Sequence, residues 1–155
     1  MKIRIMHDNQ TGAGALALGI IVLTTTALSI ASLNPAIVLQ SMVASESAAK
    51  FTLVLLASTG KSASQGMNRQ FVKIGHDKFR WLRLGLSAGF LALLSLPTLG
   101  ITGVAAVCSS VIAGIAMLGL SDRQFGGVTG DVMGAANDLT RMIALVTIVG
   151  ASKWL

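Results

Sequence analysis

Apolar residues in this chain fall in long unbroken runs rather than in strict alternation or in a narrow helical stripe. The first run, residues 12–33, holds 22 residues without a charge. At 1.5 Å per residue that length crosses ~30 Å of hydrocarbon. Asn34-Pro35 breaks it, and a proline suits the start of the next helix. The second run, about 36–59, is interrupted by Ser45, Glu46, Ser47 and Lys50. A basic stretch, 60–81, precedes a third span at about 82–99, with Pro97 and Gly100 marking its turn. That span is short, so its start draws on Arg80 to Arg83, whose long side chains can snorkel. A fourth span covers 101–120, a polar glycine-rich loop covers 121–131, and a fifth helix covers 132–152. The fifth is polar in its first half and apolar in its second. The pattern predicts an all-α, polytopic helical membrane protein with about five transmembrane helices in a single integral-membrane domain. The alternation of a β-barrel is absent, and no internal repeat stands out.

Composition agrees with the pattern. Hydrophobic residues make up 53% and charged residues 12%, with a mean hydropathy of +0.75. An average globular chain has about 25% charged residues. The net charge is +6, and its placement is informative: six of the twelve basic residues (Lys61, Arg69, Lys73, Lys78, Arg80, Arg83) share one connection. Lys2 and Arg4 lead the chain, Arg123 lies in the 121–131 loop, and the two remaining connections carry no Lys or Arg. Five spans with a cytoplasmic N-terminus bring every basic connection to one side, so loops 60–81 and 121–131 are expected to face the cytoplasm from a multi-pass position in the cell membrane. Membrane lipid is an expected partner. Nucleic acid is not: aromatics are 5%, tyrosine is missing, and no basic-aromatic interleaving occurs. Cys108 is the only cysteine, so no internal disulfide or thiolate metal site can form. Its apolar setting predicts a packed small residue. The polar lead followed by a full-length span does not read as a cleavable signal peptide.

The candidate chemistry concentrates in Gly126-Gly127-Val128-Thr129-Gly130-Asp131-Val132-Met133-Gly134-Ala135-Ala136-Asn137-Asp138. Gly126, Gly130 and Gly134 recur every four residues, a spacing that admits a neighbouring helix or ligand. Asp131 and Asp138 are seven residues apart and so share a helix face, and Arg141 is three beyond Asp138 and can neutralise it. Asp131 reads either as a first-turn acid matched to the helix dipole or as a ligand for Mg²⁺ or another ion of a phosphate-bearing substrate. Glu46 and Lys50 are spaced i, i+4 and are expected to pair, either locking helices or lining a polar cavity. Gly60-Lys61-Ser62 lacks the upstream glycine of a phosphate-binding loop, since Leu55 stands there. Lys61 and Arg69 remain candidates for phosphate contact as point charges. Asp8 with Thr11 and Gly12 reads as a helix-start element, and the lone His7 is not expected to bind metal. Gly85 and Gly89 form a GxxxG that predicts close helix packing.

Three blocks carry a family resemblance. Met6-His7-Asp8-Asn9-Gln10-Thr11-Gly12-Ala13-Gly14, Gly66-Met67-Asn68-Arg69-Gln70-Phe71 and the stretch from Gly126 to Leu139 resemble, in order, segments of the cobalamin synthase family, the adenosylcobinamide-GDP ribazoletransferases. The last block is the most specific. The resemblance implies a membrane transferase that joins adenosylcobinamide-GDP to α-ribazole or its 5'-phosphate, releases GMP and uses Mg²⁺. Its partners would be corrinoid and nucleoside small molecules. Within it, Asp8 and Asp131 are expected as catalytic and metal-binding groups. Lys61, Arg69, Glu46, Lys50, Asn137 and Asp138 are expected to bind substrate.

The chain departs from that pattern upstream. The family carries an Asp-Gly-x-x-Asp type motif before the Met-x-Asp block, among further membrane segments. None of the five aspartates here, Asp8, Asp77, Asp122, Asp131 and Asp138, is followed by glycine. The expectation is a chain equivalent to the C-terminal part of the enzyme, completed by a separate N-terminal segment or by a homo-oligomer. A small membrane transporter or channel subunit is the alternative. It would use Glu46/Lys50 and Asp138/Arg141 as intramembrane charges, but would need mid-membrane polar residues in more of its spans.

Overall fold

The computed structural model describes residues 12–63 and 72–154. Five long helices follow one another: α1 Ala13–Ala31, α2 Val38–Thr59, α3 Arg80–Leu99, α4 Ile101–Phe125 and α5 Gly130–Ser152. Each begins or ends where the local chemistry requires. Asn34 Oδ1 accepts from the Ala36 N–H at 3.0 Å, and the Asn34 carbonyl accepts from Ile37 N–H at 2.9 Å, which turns the chain from α1 into α2. Gly100 reverses α3 into α4 with φ of 56°, a conformation that favours glycine.

Pro97 lies in the last turn of α3, before Gly100 turns the chain. Only two residues of α3 follow it, so the carbonyl left without a donor costs little there. α4 runs on to Phe125, and α5 starts at Gly130, so the loop between them shrinks to residues 126–129. Ser121 to Gln124 are polar, but extending a helix already nucleated costs little per residue.

Helix α2 is central and packs on α3, α4 and α5, while α1 lies chiefly against α5. The seams are built from small residues. Ala44, Ala48 and Ala49 of α2, Ala106 and Ala113 of α4, and Ala136 and Ala144 of α5 are all buried. Small side chains let backbones approach, the packing mode of helices in lipid. Buried hydroxyls turn back on their own helices: Ser41 Oγ donates to the Ile37 carbonyl at 2.7 Å and Ser110 Oγ to Ala106 at 2.6 Å. One hydroxyl pair crosses the α2–α5 seam, Thr140 Oγ1 to Thr52 Oγ1 at 3.3 Å.

The outer surface is apolar. Leu23, Leu39, Leu93 and Ile112 are between 67% and 71% exposed. In water this would be an aggregation liability, whereas in a bilayer it is the lipid face. α1, α3, α4 and α5 are each long and apolar enough to cross a membrane. The two tryptophans mark opposite ends, Trp81 at the start of α3 and Trp154 after α5, where indole rings favour the interface.

Two packing expectations are corrected. Cys108 is exposed on α4, not packed. Gly85 and Gly89 have open space where a side chain would begin, so their GxxxG makes no close contact. Both errors have one cause. A helix that is apolar all round does not reveal which face meets a neighbour and which meets lipid. The close approaches occur elsewhere, at Gly103 against the Ser95 carbonyl and at Gly114 against Leu55 and Thr52.

Candidate functional site

Successive helices alternate in direction, so one end of the bundle gathers the start of α1, residues 59–63 and 72–83, and the α4–α5 loop. Lys61, Lys73, Lys78, Arg80, Arg83 and Arg123 lie at this end with Asp131. Among the described cations, Lys153 lies at the other end, and Lys50 and Arg141 lie between the two ends.

A backbone clip organises the end. α4 terminates at Gly126 in the left-handed region, φ 71°, with its N–H donating to the Asp122 carbonyl at 3.1 Å. Gly127 follows with φ 149°, and its carbonyl accepts from the buried Ser121 Oγ at 2.6 Å. The Val128 N–H then donates to the Lys61 carbonyl at 2.6 Å, and the Ala63 N–H donates to the Val128 carbonyl at 3.2 Å. These bonds close a parallel bridge between Ser62 and Val128. A side chain on Gly127 would strike the Lys61 carbonyl, and one on Gly60 would strike Val128. Val128 is fully buried against Leu56 and Ala136, so the clip is seated in the core. Gly127→Ala is expected to open it, through an unfavourable φ and a steric clash together costing about 1–3 kcal/mol. A lowered unfolding midpoint in mild detergent, with faster proteolysis at 60–63, would be the sign; an unchanged midpoint would show that the clip tolerates a side chain.

The clip positions two candidate side chains. Thr129 caps α5 by accepting from the Val132 N–H at 3.3 Å, which places Asp131 in the first turn. Asp131 is exposed and has no hydrogen bond or ion pair among the described residues. Lys61 is exposed on the short segment that Val128 holds. Gly126, Gly130 and Gly134 have no close neighbour, so their regular spacing leaves an open face beside Asp131 rather than a packed one.

A second polar group lies further along the α2–α5 seam. Glu46 Oε1 pairs with Lys50 Nζ at 2.8 Å, as the i, i+4 spacing predicts. Lys50 Nζ also donates to Asn137 Oδ1 at 3.0 Å, and Asn137 Nδ2 donates to Asp138 Oδ1 at 3.1 Å. Arg141 Nη1 meets Asp138 Oδ1 at 3.3 Å, and Arg141 Nε donates to Glu46 Oε2 at 2.8 Å. The contacts close a ring across two antiparallel helices. Lys50 lies ten residues before Gly60, so the ring sits ~15 Å from the clip along the helix.

The structure thus divides the sequence-derived set. Asp131 and Lys61 belong to the clip end. Glu46, Lys50, Asn137 and Asp138 belong to the ring. Asp8 and Arg69 fall outside the described residues. Arg141 was legible only as a neutraliser of Asp138. Its bond to Glu46 crosses between helices and has no local signal. Ser121 and Gly127 carried no sign of their pairing.

Among the described residues no three His, Cys, Asp or Glu side chains converge as a metal-binding group. Asp131, an exposed carboxylate without a partner among the described residues, still fits a hydrated Mg²⁺, which takes its other ligands from phosphate and water.

Long helices with small-residue seams, an apolar exterior and polar groups gathered at one end define a polytopic membrane protein. The chain belongs to the cobalamin-5-phosphate synthase family, whose sequence profile matches residues 1–149. It is similar to three proteins named adenosylcobinamide-GDP ribazoletransferase. That of Methanocella arvoryzae is 30% identical over 99% of this chain and 62% of its own length. Those of Shigella flexneri and Escherichia coli are 32% and 33% identical, each over 95% of this chain and 60% of its own length. The chain therefore spans about three fifths of the curated relatives it matches. No solved structure matches it significantly. Family membership sets aside the transporter reading.

Proposed function

We propose that this chain carries part of the site of a late cobalamin-assembly transferase, joining adenosylcobinamide-GDP to α-ribazole or its 5'-phosphate with release of GMP. The observation that carries the reading is Asp131: an exposed carboxylate without a partner among the described residues, set at the helix start that follows the Lys61–Val128 clip, in a chain similar to proteins that bear that name.

In the reaction a ribazole hydroxyl oxygen attacks the phosphorus that bears the cobinamide. A new P–O bond forms, the P–O bond to GMP breaks, and the hydroxyl proton passes to a base. Asp131 is the base we assign, with Asp8 as its counterpart. Both would also serve as carboxylate ligands if Mg²⁺ binds, and the ion would spread phosphate charge. Lys61 and Arg69 would hold the phosphates as point charges. The open face left by Gly130 and Gly134 would give the substrate room beside Asp131. The clustering of Lys and Arg at this end supports a cytoplasmic orientation in the cell membrane. We further propose that an N-terminal segment, or a second copy, completes the site.

The test is GMP release from adenosylcobinamide-GDP and α-ribazole in membranes holding the chain together with the unmatched part of the Methanocella arvoryzae relative. Mg²⁺-dependent release is expected. No release from a properly inserted pair would overturn the assignment.

A further inference from the structure

We infer that the ring of Glu46, Lys50, Asn137, Asp138 and Arg141, with the apolar cleft beside it, is the subsite for the amide-fringed corrin macrocycle. The inference rests on the proposed function, since it assigns one part of that substrate to a face distinct from Asp131.

Depth is the first argument. The ring lies ~15 Å from the clip, well within the span of its apolar neighbours. Its side chains are nonetheless open: Lys50 is 57% exposed, Glu46 45%, Asp138 55% and Arg141 31%. Charged groups at such depth do not face hydrocarbon; they face a polar ligand, water or protein.

Charge balance narrows the choice. Two carboxylates, two cations and one amide sum to zero, so the ring has no net attraction for phosphate or for a metal ion. What it offers is unused hydrogen-bonding capacity. Arg141 uses Nε and Nη1 within the ring, and Lys50 uses two of the three donors an ammonium carries. Spare donors next to carboxylate lone pairs suit a group that both donates and accepts, as a primary amide does.

The cleft gives the apolar half of the match. A hollow of about 170 Å³ opens beside Glu46 and Lys50, walled by Phe51, Val54 and Phe90. Its two serines face their own helices, with Ser47 Oγ donating to the Val43 carbonyl at 2.7 Å and Ser87 Oγ to Leu84 at 3.0 Å. The walls are therefore apolar. The hollow is too small for a whole macrocycle and suits one edge or arm. Cobinamide joins these properties: flat, largely apolar, and edged with primary amides. Its phosphates hang on a flexible arm. Asp131 and Asp138 are two helical turns apart, about 10 Å, so one substrate can reach both places.

Equilibrium binding of dicyanocobinamide tests this, because that probe is coloured and carries no nucleotide. The purified chain in lipid nanodiscs is expected to bind it saturably. The double variant Lys50→Gln/Asp138→Asn retains the Glu46–Arg141 pair and should bind it at least about tenfold more weakly, with GDP binding and helicity unchanged. Asp122→Asn, which removes the same acidic charge elsewhere, should not alter it. Absence of saturable binding by the unmodified chain, or equal binding by the double variant, overturns the inference. So does a change in oligomeric mass with cobinamide binding untouched, which would make the ring a helix-docking face. Ring-dependent cobinamide binding without any GMP release would count against the proposed reaction and leave the subsite standing.

Discussion

Asp131→Asn is expected to lower GMP release by about a hundredfold or more while leaving the fold in place. The two effects separate because of how Asp131 is held. It has no partner among the described residues, so its replacement orphans no buried group. Thr129, not Asp131, supplies the side-chain cap of α5. The remaining structural role is charge at the helix start, about 0.3–1 kcal/mol for an exposed group. Asparagine preserves shape and removes basicity and the negative charge that attracts a cation. Single-turnover GMP release and a detergent melt, measured together, decide the matter. Full release by the variant would remove Asp131 from both the base and the metal role.

Arg141→Met is expected to have the larger effect on stability. Arg141 is the only member of the ring that joins Glu46 of α2 to Asp138 of α5, through its Nε and Nη1. Without it Glu46 retains Lys50, but Asp138 retains only the Asn137 amide. Breaking a fully buried pair costs about 3–5 kcal/mol, and these side chains are part-exposed, so about 1–3 kcal/mol is the fitting range. Arg141→Lys should recover little, because an ammonium cannot span two carboxylates as a guanidinium fork does. Exchanging the pair, as Glu46→Arg with Arg141→Glu, is expected to recover no stability, because the new cation would face Lys50 and the new carboxylate would face Asp138. An Arg141→Met chain as stable as its parent would mean that the small-residue seams, with the Lys50–Asn137 and Thr52–Thr140 bonds, hold α2 on α5 without it.

The two sites differ in how far they could be read. Glu46 with Lys50, and Asp138 with Arg141, were legible because spacings of three and four residues are neighbours on any helix. The Arg141–Glu46 and Lys50–Asn137 bonds join residues 95 and 87 positions apart, and no local rule reaches so far. The glycines show the opposite failure. Gly126, Gly130 and Gly134 had the regular spacing, yet Gly127, outside that series, makes the close contact with Lys61. Spacing puts residues on one face of a helix but does not say what the face meets.

From the sequence alone came the all-helical membrane class, the breaks at Asn34-Pro35 and Gly100, and the family resemblance. These depend on run length, breaker residues and local motifs, which act within a few turns of chain. The tertiary structure decided what long-range packing controls. It put Cys108, Gly85 and Gly89 outward and kept α4 helical to Phe125. It clipped Lys61 to Val128 near Asp131, and it closed four charges and an amide into one ring. In a chain whose helices are apolar on every side, burial pattern cannot select a face, so small-residue contact and pairing of the few polar groups choose the neighbours.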